Sequence, residues 1–328
     1  MPNKYKIIRD KLDLKILAEL DRNSRESYTE IGKRVKLSKQ AVKIRMDKMV
    51  MDGVIDHFIT CINIAGFGYV PYTIYLSLHN LSEAKKKEMI NYLIGKGYIN
   101  KVLIFDGQYD MELGIPARNP YELQQKLSEV YTNFSEQIRS NKRLLLVDTH
   151  FYPRSFLLNT KRLPLPLDKG FHRRNLLPPR IKETDLKILE FLDKDPRIPA
   201  TQIAQKLKLP VQTIINRIRF MENNQVIMGY TMILNDTKYF MGHTILIEFS
   251  SIPEELEREL VSFLSSHPNI VFVAKTFGEF DYLINIEYLN IQDYRNFVEE
   301  FKRRFYRNLK SFIPLLISNF PKMTFFPR

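Results

Sequence analysis

The sequence contains a single cysteine, Cys61, and no long hydrophobic run. One cysteine excludes an intrachain disulfide and any metal site built from several cysteines, so a reducing, cytoplasmic setting is expected. The first residues, MPNKYKIIRDKLD, have no apolar segment of the kind found in signal peptides. No later segment reaches the roughly 18 uninterrupted apolar residues of a membrane helix. We therefore expect neither secretion nor insertion into a membrane.

Sequence motifs for catalysis are also missing. The six histidines are scattered along the chain, and there is no H-E-x-x-H, Walker or G-x-G-x-x-G pattern. We therefore expect no enzymatic activity, no metal site and no cofactor. Positive charge, in contrast, is abundant: 50 lysines and arginines against 37 acidic residues give a net charge of +13. This excess favours a polyanionic partner, either nucleic acid or a membrane surface.

The chain contains two sequence-related copies of one module. Residues 13–55 align without a gap on residues 185–227, and 17 of the 43 positions are identical. At a neighbouring offset of 171, GQYDMEL (107–113) lies over GEFDYLI (278–284). We refer to the two modules as copy one and copy two. A repeat of this kind predicts a two-fold architecture.

Hydrophobic periodicity predicts the same element order in both copies. In copy one, three helices are expected at 10–21, 27–35 and 38–51, with a strand from Val54. Val42, Met46, Met49 and Val50 form the expected buried stripe of the third helix. The remainder of each copy reads β-α-β-β-α-β, the ferredoxin-like order. The predicted fold class is α+β, with two tandem modules, each a three-helix winged helix-turn-helix followed by a ferredoxin-like domain.

The predicted domains follow from this order. They are a first helix-turn-helix domain (1–64), a first ferredoxin-like domain (65–158), a basic Pro-rich linker (159–182), a second helix-turn-helix domain (183–236) and a second ferredoxin-like domain (237–328). The linker has four prolines, and seven cations against one anion, which favours extended chain. At roughly 3.1 Å per residue it reaches up to about 70 Å, more than the roughly 34 Å between adjacent half-sites on DNA. Pairing of the two copies within one chain is therefore feasible.

Several motifs resemble those of the Lrp/AsnC family of transcription regulators. They are L-S-x-x-A-V-x-x-R-M at 37–46, D-G-V-I at 52–55 and the G-x-[YF]-D turn at 107–110 and 278–281. The resemblance implies binding to double-stranded DNA. Family members are usually single modules that pair as separate chains, so this chain looks like a covalent pseudo-dimer. We expect it to pair again through its sheets, as a homodimer with four DNA-binding heads.

The resemblance also implies which residues contact DNA. A helix-turn-helix inserts its second helix N-terminus first into the major groove, so Lys39, Gln40 and Lys43 are expected to face the groove. The full predicted set is Lys33, Arg34, Lys36, Ser38, Lys39, Gln40, Lys43, Arg45, Lys48, Gln212, Thr213, Asn216 and Arg217. Charge placement supports it: residues 29–48 carry seven cations and two anions and residues 201–220 four cations and none, whereas 57–158 and 231–328 total +2 and −1.

Two alternatives stay open for this set. A lysine-rich exposed face can simply be solvated, and Arg45 and Arg217 could instead pair with an acid of the first helix, such as Asp13 or Asp185. The copies also differ, because Ser38, Lys39 and Lys43 become Pro210, Val211 and Ile215. Val211 and Ile215 either contact thymine methyls or mark a head that has lost DNA binding. Copy one is expected to be the stronger head, and any operator an imperfect palindrome.

The G-x-[YF]-D turns lie where the family binds small effectors, often amino acids. The candidate effector residues are Gly107, Tyr109, Asp110, Gly278, Phe280 and Asp281, with either aspartate holding an ammonium group. The alternative is a purely structural turn, in which glycine supplies a positive φ and aspartate bonds the turn backbone.

Two other functions compete with transcription regulation. Sirohaem decarboxylases resemble the same architecture, and His150 with Arg154, or His172 with Arg173 and Arg174, could serve a tetrapyrrole carboxylate. The arginine- and aromatic-rich signatures of those enzymes are missing from the helix-turn-helix region. The other competitor is a protein-binding adaptor with a vestigial helix-turn-helix.

Overall fold

The structure, a computed structural model, describes residues 10–79, 81–158, 181–235 and 239–326. Within these ranges the chain forms two compact units. One unit contains both helix-turn-helix segments (to Gly68, to Asn235 and Thr324–Phe326), and the other contains both β-α-β-β-α-β segments. Residues 159–180 of the predicted linker lie outside the described residues, together with their cations.

Copy one contains five α-helices and five strands within the described residues. They are α1 (Lys11–Arg22), α2 (Tyr28–Val35), α3 (Lys39–Met51), β1 (Ile55–Ile62), β2 (Val70–Leu78), α4 (Glu83–Gly95), β3 (Lys101–Asp106), β4 (Met111–Ala117), α5 (Pro120–Phe134) and β5 (Ile138–Phe151).

Copy two repeats this order. Its elements are α6 (Glu183–Lys194), α7 (Ala200–Leu207), α8 (Val211–Asn223), β6 (Ile227–Leu234), β7 (Met241–Phe249), α9 (Glu254–Ser266), β8 (Ile270–Phe277), β9 (Tyr282–Tyr288), α10 (Ile291–Phe305) and β10 (Leu309–Met323). The predicted α+β class and the ferredoxin-like order in each copy are confirmed.

Local capping explains where the helix-turn-helix helices of copy one begin. The hydroxyl oxygens of Ser27 and Ser38 accept hydrogen bonds from the backbone N–H groups of Glu30 and Ala41, both at 3.1 Å. Each bond satisfies a donor that the first helical turn leaves without a partner. In α3, Val42, Met46 and Met49 are buried as predicted.

The predicted burial of Val50, the fourth residue of the stripe, is wrong, because this residue is 42% exposed. At 3.6 residues per turn, Val50 lies about 80° around the helix axis from Val42, whereas Met49 lies only about 20° away. The buried face of α3 is therefore narrower than the sequence pattern suggested.

The two copies pair inside the first unit through β1 and β6. These strands form an antiparallel two-stranded sheet in which Ile55 lies opposite Leu234 and Ile62 opposite Ile227. In the repeat alignment Ile55 corresponds to Ile227 and Ile62 to Leu234, so each strand pairs with its own counterpart. This is the isologous geometry of a two-fold axis. The expected pairing of the copies within one chain is confirmed.

The second unit is a closed antiparallel barrel in the order β10-β3-β4-β2-β5-β8-β9-β7. The joins between the copies are β5 with β8 and β10 with β3. One hydrophobic cluster fills each copy's sheet–helix interface, and a third, including Tyr75 and Leu283, draws on strands of both copies.

Closure of the barrel removes one way in which two chains could pair through their sheets. Every described strand of this unit has a neighbour on both sides, so edge-to-edge pairing of sheets between two chains has no free strand edge to use. A homodimer would need another surface, and its existence stays a prediction. Among the described helices, none has the length and apolar character needed to cross a membrane.

Candidate nucleic-acid interface

The N-terminal part of α3 presents polar side chains to solvent above a buried stripe. Lys39, Gln40, Lys43 and Lys48 are all exposed, as the sequence predicted. Lys43 donates a 2.5 Å hydrogen bond to Asp47. This hydrogen bond and the negative charge of Asp47 raise the pKa of Lys43, so its ammonium group stays charged. The arrangement suits a helix that presents cations and one amide to base edges and phosphates.

Two exposed apolar side chains share this face and were missed in the sequence. Ile44 is 58% exposed and Met51 80% exposed. Ile44 lies one turn beyond Gln40, so the two side chains lie on the same face of α3. The signal was present in the spacing, but an isoleucine in an amphipathic helix is normally assigned to the core. An exposed apolar group here has the chemistry to contact a thymine methyl.

Arg45 and Arg217 are bound to acids of the first helix in each copy. In copy one, Arg45 contacts Asp10 and donates to Asp13 Oδ1 at 2.8 Å. In copy two, Arg217 Nε donates to Asp185 Oδ1 at 2.6 Å, and Asp185 is fully buried. The alternative pairing expected from the sequence is present in both copies. We call α3 and α8, the second helix of each helix-turn-helix, the recognition helices. Both arginines join their recognition helix to the start of the first helix of the same copy.

The predicted phosphate-contacting residues of α2 already have carboxylate partners. Lys33 donates to Glu30 at 2.6 Å, and Arg34 donates to Glu19 at 2.8 Å and to Glu26 at 3.0 Å. Lys36 ends the helix in the left-handed conformation with φ 59° and is exposed. A phosphate would therefore have to compete with acids for Lys33 and Arg34, whereas Lys36 is exposed at the turn.

The recognition helix of copy two is built differently. Pro210 is the N-cap residue before α8 and makes no side-chain cap hydrogen bond, as its lack of a hydroxyl predicted. Gln212 and Asn216 are exposed, and Gln212 Nε2 donates to Asn216 Oδ1 at 2.9 Å. Val211 is 37% exposed, while Thr213 and Ile215 are half-buried. At the positions of Lys39 and Lys43 this face carries the apolar residues Val211 and Ile215, whereas Gln212 retains the amide of Gln40.

A reciprocal pair of arginines joins the two heads within the first unit. The Arg25 guanidinium donates to the backbone carbonyls of Pro196 and Ile198, the latter at 3.4 Å. Its repeat counterpart, Arg197, donates to those of Ser24 and Glu26, the latter at 3.4 Å. Sequence reasoning missed this pair, although arginine at both positions of the repeat was a usable signal. The contacts hold the two heads in one fixed arrangement.

The aspartates of the G-x-[YF]-D turns support the barrel backbone. Asp110 accepts a 2.7 Å hydrogen bond from the N–H of Leu78, and Asp281 accepts one of the same length from Phe249. The predicted structural alternative placed these bonds within the turn, but the structure places them at the end of a neighbouring strand. Tyr109 and Phe280 are buried in the barrel cluster.

Glycine is needed at these two positions mainly because residues of a neighbouring strand lie too close for a side chain. A Cβ at Gly107 would lie 2.9 Å from Leu315 Cδ2, and one at Gly278 would lie 2.8 Å from the Arg143 carbonyl oxygen. Gly278 has a positive φ of 153°, whereas Gly107 is not among the positive-φ glycines. The expectation of a positive φ is therefore wrong for Gly107. Effector binding at the glycine, aromatic and aspartate residues of the two turns stays a prediction.

Two of the candidates for tetrapyrrole chemistry have acidic neighbours. Arg154 binds Glu287 with both prongs of its guanidinium, Nε to Oε2 at 2.6 Å and Nη2 to Oε1 at 2.9 Å, and both side chains are about nine-tenths buried. His150 Nε2 lies 3.4 Å from Asp148. His172, Arg173 and Arg174 lie outside the described residues. No group of three or more metal-ligating side chains occurs in the described part of the chain.

A histidine of copy two gives a testable pH dependence. His243 stacks on Tyr294 at 4.1 Å between ring centroids, and the Tyr288 hydroxyl lies 2.9 Å from its Nδ1. Burial lowers the pKa of His243 from 6.5 to about 4. Between these values the unfolded chain binds more protons than the folded chain, so the stabilisation is complete above pH 6.5 and is lost as pH falls toward 4.

We expect this residue to reduce the free energy of unfolding by about 2 kcal/mol between pH 7 and pH 4, allowing for its partial exposure. Urea denaturation at several pH values measures it. His243→Phe, which keeps the ring stack, should flatten the pH dependence. An unchanged profile in His243→Phe would contradict the assignment.

Comparisons with known proteins agree with these features. Residues 10–50 match the AsnC-type helix-turn-helix domain, and residues 181–228 match a winged helix-turn-helix DNA-binding domain. An uncharacterized HTH-type transcriptional regulator of Pyrococcus abyssi is 30% identical over 119 residues, which cover 36% of this chain and 80% of that protein. The regulator FL11 of Pyrococcus furiosus is 31% identical over 121 residues, covering 36% and 78%. LrpC of Bacillus subtilis is 25% identical over 121 residues, covering 37% and 83%.

A likeness among solved structures extends along almost the whole chain. The siroheme decarboxylase NirDL covers 96% of this chain and 93% of its own, with a TM-score of 0.59 and 12% sequence identity. At that identity the likeness concerns the fold, and it shows that the tandem architecture occurs in a second protein. The sequence relatives and the two helix-turn-helix matches decide the family. The chain belongs to the Lrp/AsnC family of helix-turn-helix transcription regulators and carries two of its modules in tandem.

Proposed function

We propose that this regulator binds specific DNA sequences as a single-chain pseudo-dimer. The observation that carries the proposal is the exposed face of α3, where Lys39, Gln40 and Lys43 project from a helix anchored by Ser38 and its buried stripe. The reciprocal contacts of Arg25 and Arg197 fix the second recognition helix relative to the first. Because the two faces differ in chemistry, the operator is an imperfect palindrome whose half-sites are read unequally.

Phosphate contacts supply most of the affinity in this proposal. If roughly six phosphates are engaged, the logarithm of the binding constant should fall against the logarithm of salt concentration with a slope near −5. Fluorescence anisotropy with a duplex enriched by the full-length chain from random DNA measures this slope. Affinity that hardly changes between low and moderate salt would contradict the proposal.

Two regulatory features belong to the same proposal. A small effector such as an amino acid acts at the barrel turns, and the chain forms a homodimer in the cytoplasm. Amino acids that fail to shift the melting temperature would reject the effector. Light scattering that gives the mass of one 38.9 kDa chain would reject the homodimer. Mapping of bound DNA across the genome would identify the targets.

We further propose that the chain is a regulator and not a sirohaem decarboxylase or a protein-binding adaptor. The supporting observation is that the buried guanidinium of Arg154 is bound at both prongs by Glu287, although the fold is shared with NirDL. A stoichiometric tetrapyrrole absorption spectrum in the purified protein would overturn this choice in favour of an enzyme. Failure to bind any duplex at low salt would favour the adaptor.

A further inference from the structure

Copy two has a groove between α10 and β10. Its volume is about 280 Å³. The floor is formed by Tyr294 and Val298 of α10 and by Phe312 and Pro314 of β10. Arg295 and Lys302 lie among the charged residues that line it. The exposed surface of the groove is almost entirely hydrocarbon, and three of its seven lining residues carry a charge.

The equivalent position in copy one is occupied by a side chain of the protein. At the repeat offset of 171, Pro314 corresponds to Arg143, which lies on β5 beside α5. The Arg143 guanidinium makes long contacts with Gln124 Oε1 at 3.4 Å and with the Tyr131 hydroxyl at 3.5 Å. Pro314 has no side chain long enough to do the same. The groove beside Pro314 in copy two is therefore open, whereas in copy one the Arg143 side chain of β5 occupies the equivalent position.

On the helix beside this space, two neutral residues of copy one are replaced by cations in copy two. Gln124 and Tyr131, the polar partners of Arg143, correspond to Arg295 and Lys302. The Lys302 ammonium lies 5.4 Å from the centre of the Phe312 ring, over the groove floor. Neither cation has a salt bridge among the described residues, and Glu299 is the single acid of the lining. A cationic occupant like that of copy one is therefore disfavoured, and an anionic one is favoured.

We propose that this groove binds a small organic acid, a carboxylate that carries an aromatic or branched hydrocarbon tail. The tail packs on Tyr294, Val298 and Phe312, and the carboxylate accepts hydrogen bonds from Arg295 and Lys302. A groove of about 280 Å³ suits a small ligand of roughly ten non-hydrogen atoms. For a ligand of that size in an open groove, Kd is expected at roughly 0.1–1 mM. The site does not depend on DNA binding.

A pair of probes with one ring and opposite charges tests the chemistry. Phenylacetate and phenethylamine are titrated into the full-length chain by calorimetry. Phenylacetate should saturate one site, and phenethylamine should bind at least about tenfold more weakly. Absence of saturable phenylacetate binding up to about 10 mM would overturn the proposal. Equal binding of the amine would overturn the anionic assignment.

Variants that restore the copy-one residues locate the site. Pro314→Arg should weaken phenylacetate binding by at least about tenfold, because the new side chain occupies the groove as Arg143 does in copy one. The double change Arg295→Gln and Lys302→Tyr should leave the space but remove the preference for the acid over the amine. Arg258→Ala, which removes an exposed cation from α9, is the matched control and should bind as the parent does. Unchanged binding in Pro314→Arg, with a cooperative thermal transition retained, would overturn the assignment to this groove.

Discussion

Replacing Arg217 by methionine is expected to lower the free energy of unfolding by about 3–5 kcal/mol. The change leaves the fully buried carboxylate of Asp185 without its cation. One oxygen of Asp185 keeps a 2.8 Å hydrogen bond from the Lys182 N–H, but a buried charge with one neutral donor remains poorly compensated. Urea denaturation followed by far-ultraviolet circular dichroism measures the loss.

Copy one offers a matched control for this prediction. Arg45 makes the corresponding ion pair, but the side chains of Asp13 and Asp10 are 24% and 40% exposed. Water can solvate these carboxylates when Arg45 is replaced by methionine, so the expected loss is only about 1 kcal/mol. In the double variant Asp185→Leu and Arg217→Met, stability should largely return, because no buried charge is left. Equal losses at Arg45 and Arg217 would contradict the difference in burial.

The helix-turn-helix segments could be located in the sequence because their signals are local. Ser27 and Ser38 are hydroxyl caps at the first turns of α2 and α3, and the spacing of Val42, Met46 and Met49 identifies one buried helical face. The ferredoxin-like order followed from alternating apolar and polar residues and from repetition of the pattern. Each of these signals depends on residues a few positions apart, where chain geometry alone fixes the neighbours.

The remaining features depend on residues that are distant in sequence. Pairing of β5 with β8 and of β10 with β3 closes the barrel, and no local pattern specifies those partners. The contacts of Arg25 with backbone carbonyls near residue 197 also require the two copies to be placed side by side first. The occupied and open grooves beside Arg143 and Pro314 become visible only when the two copies are compared in space. Sequence therefore predicted the elements, whereas the joins between the copies required the structure.

Replacing both Lys39 and Gln40 by alanine is expected to weaken binding to the specific operator by about 2–4 kcal/mol. This estimate takes roughly 1–3 kcal/mol for each base contact that is lost. Both side chains are exposed at the start of α3, and Ser38 still caps the helix when they are replaced by alanine. Anisotropy titrations at fixed salt give the change in affinity directly. The salt slope should also decrease by about 1 if Lys39 binds a phosphate.

The matching double alanine variant at Val211 and Gln212 should cost less. In copy two the Gln212 amide is bonded to Asn216 within the same helix, so binding a base requires that hydrogen bond to be exchanged. Val211 offers only a hydrophobic surface, and the variant removes no cation. Lys87→Ala in α4 of the barrel unit removes one exposed charge outside the helix-turn-helix segments and should leave affinity nearly unchanged. An equal or larger effect in copy two would reverse the ranking of the heads and assign the main base contacts to α8.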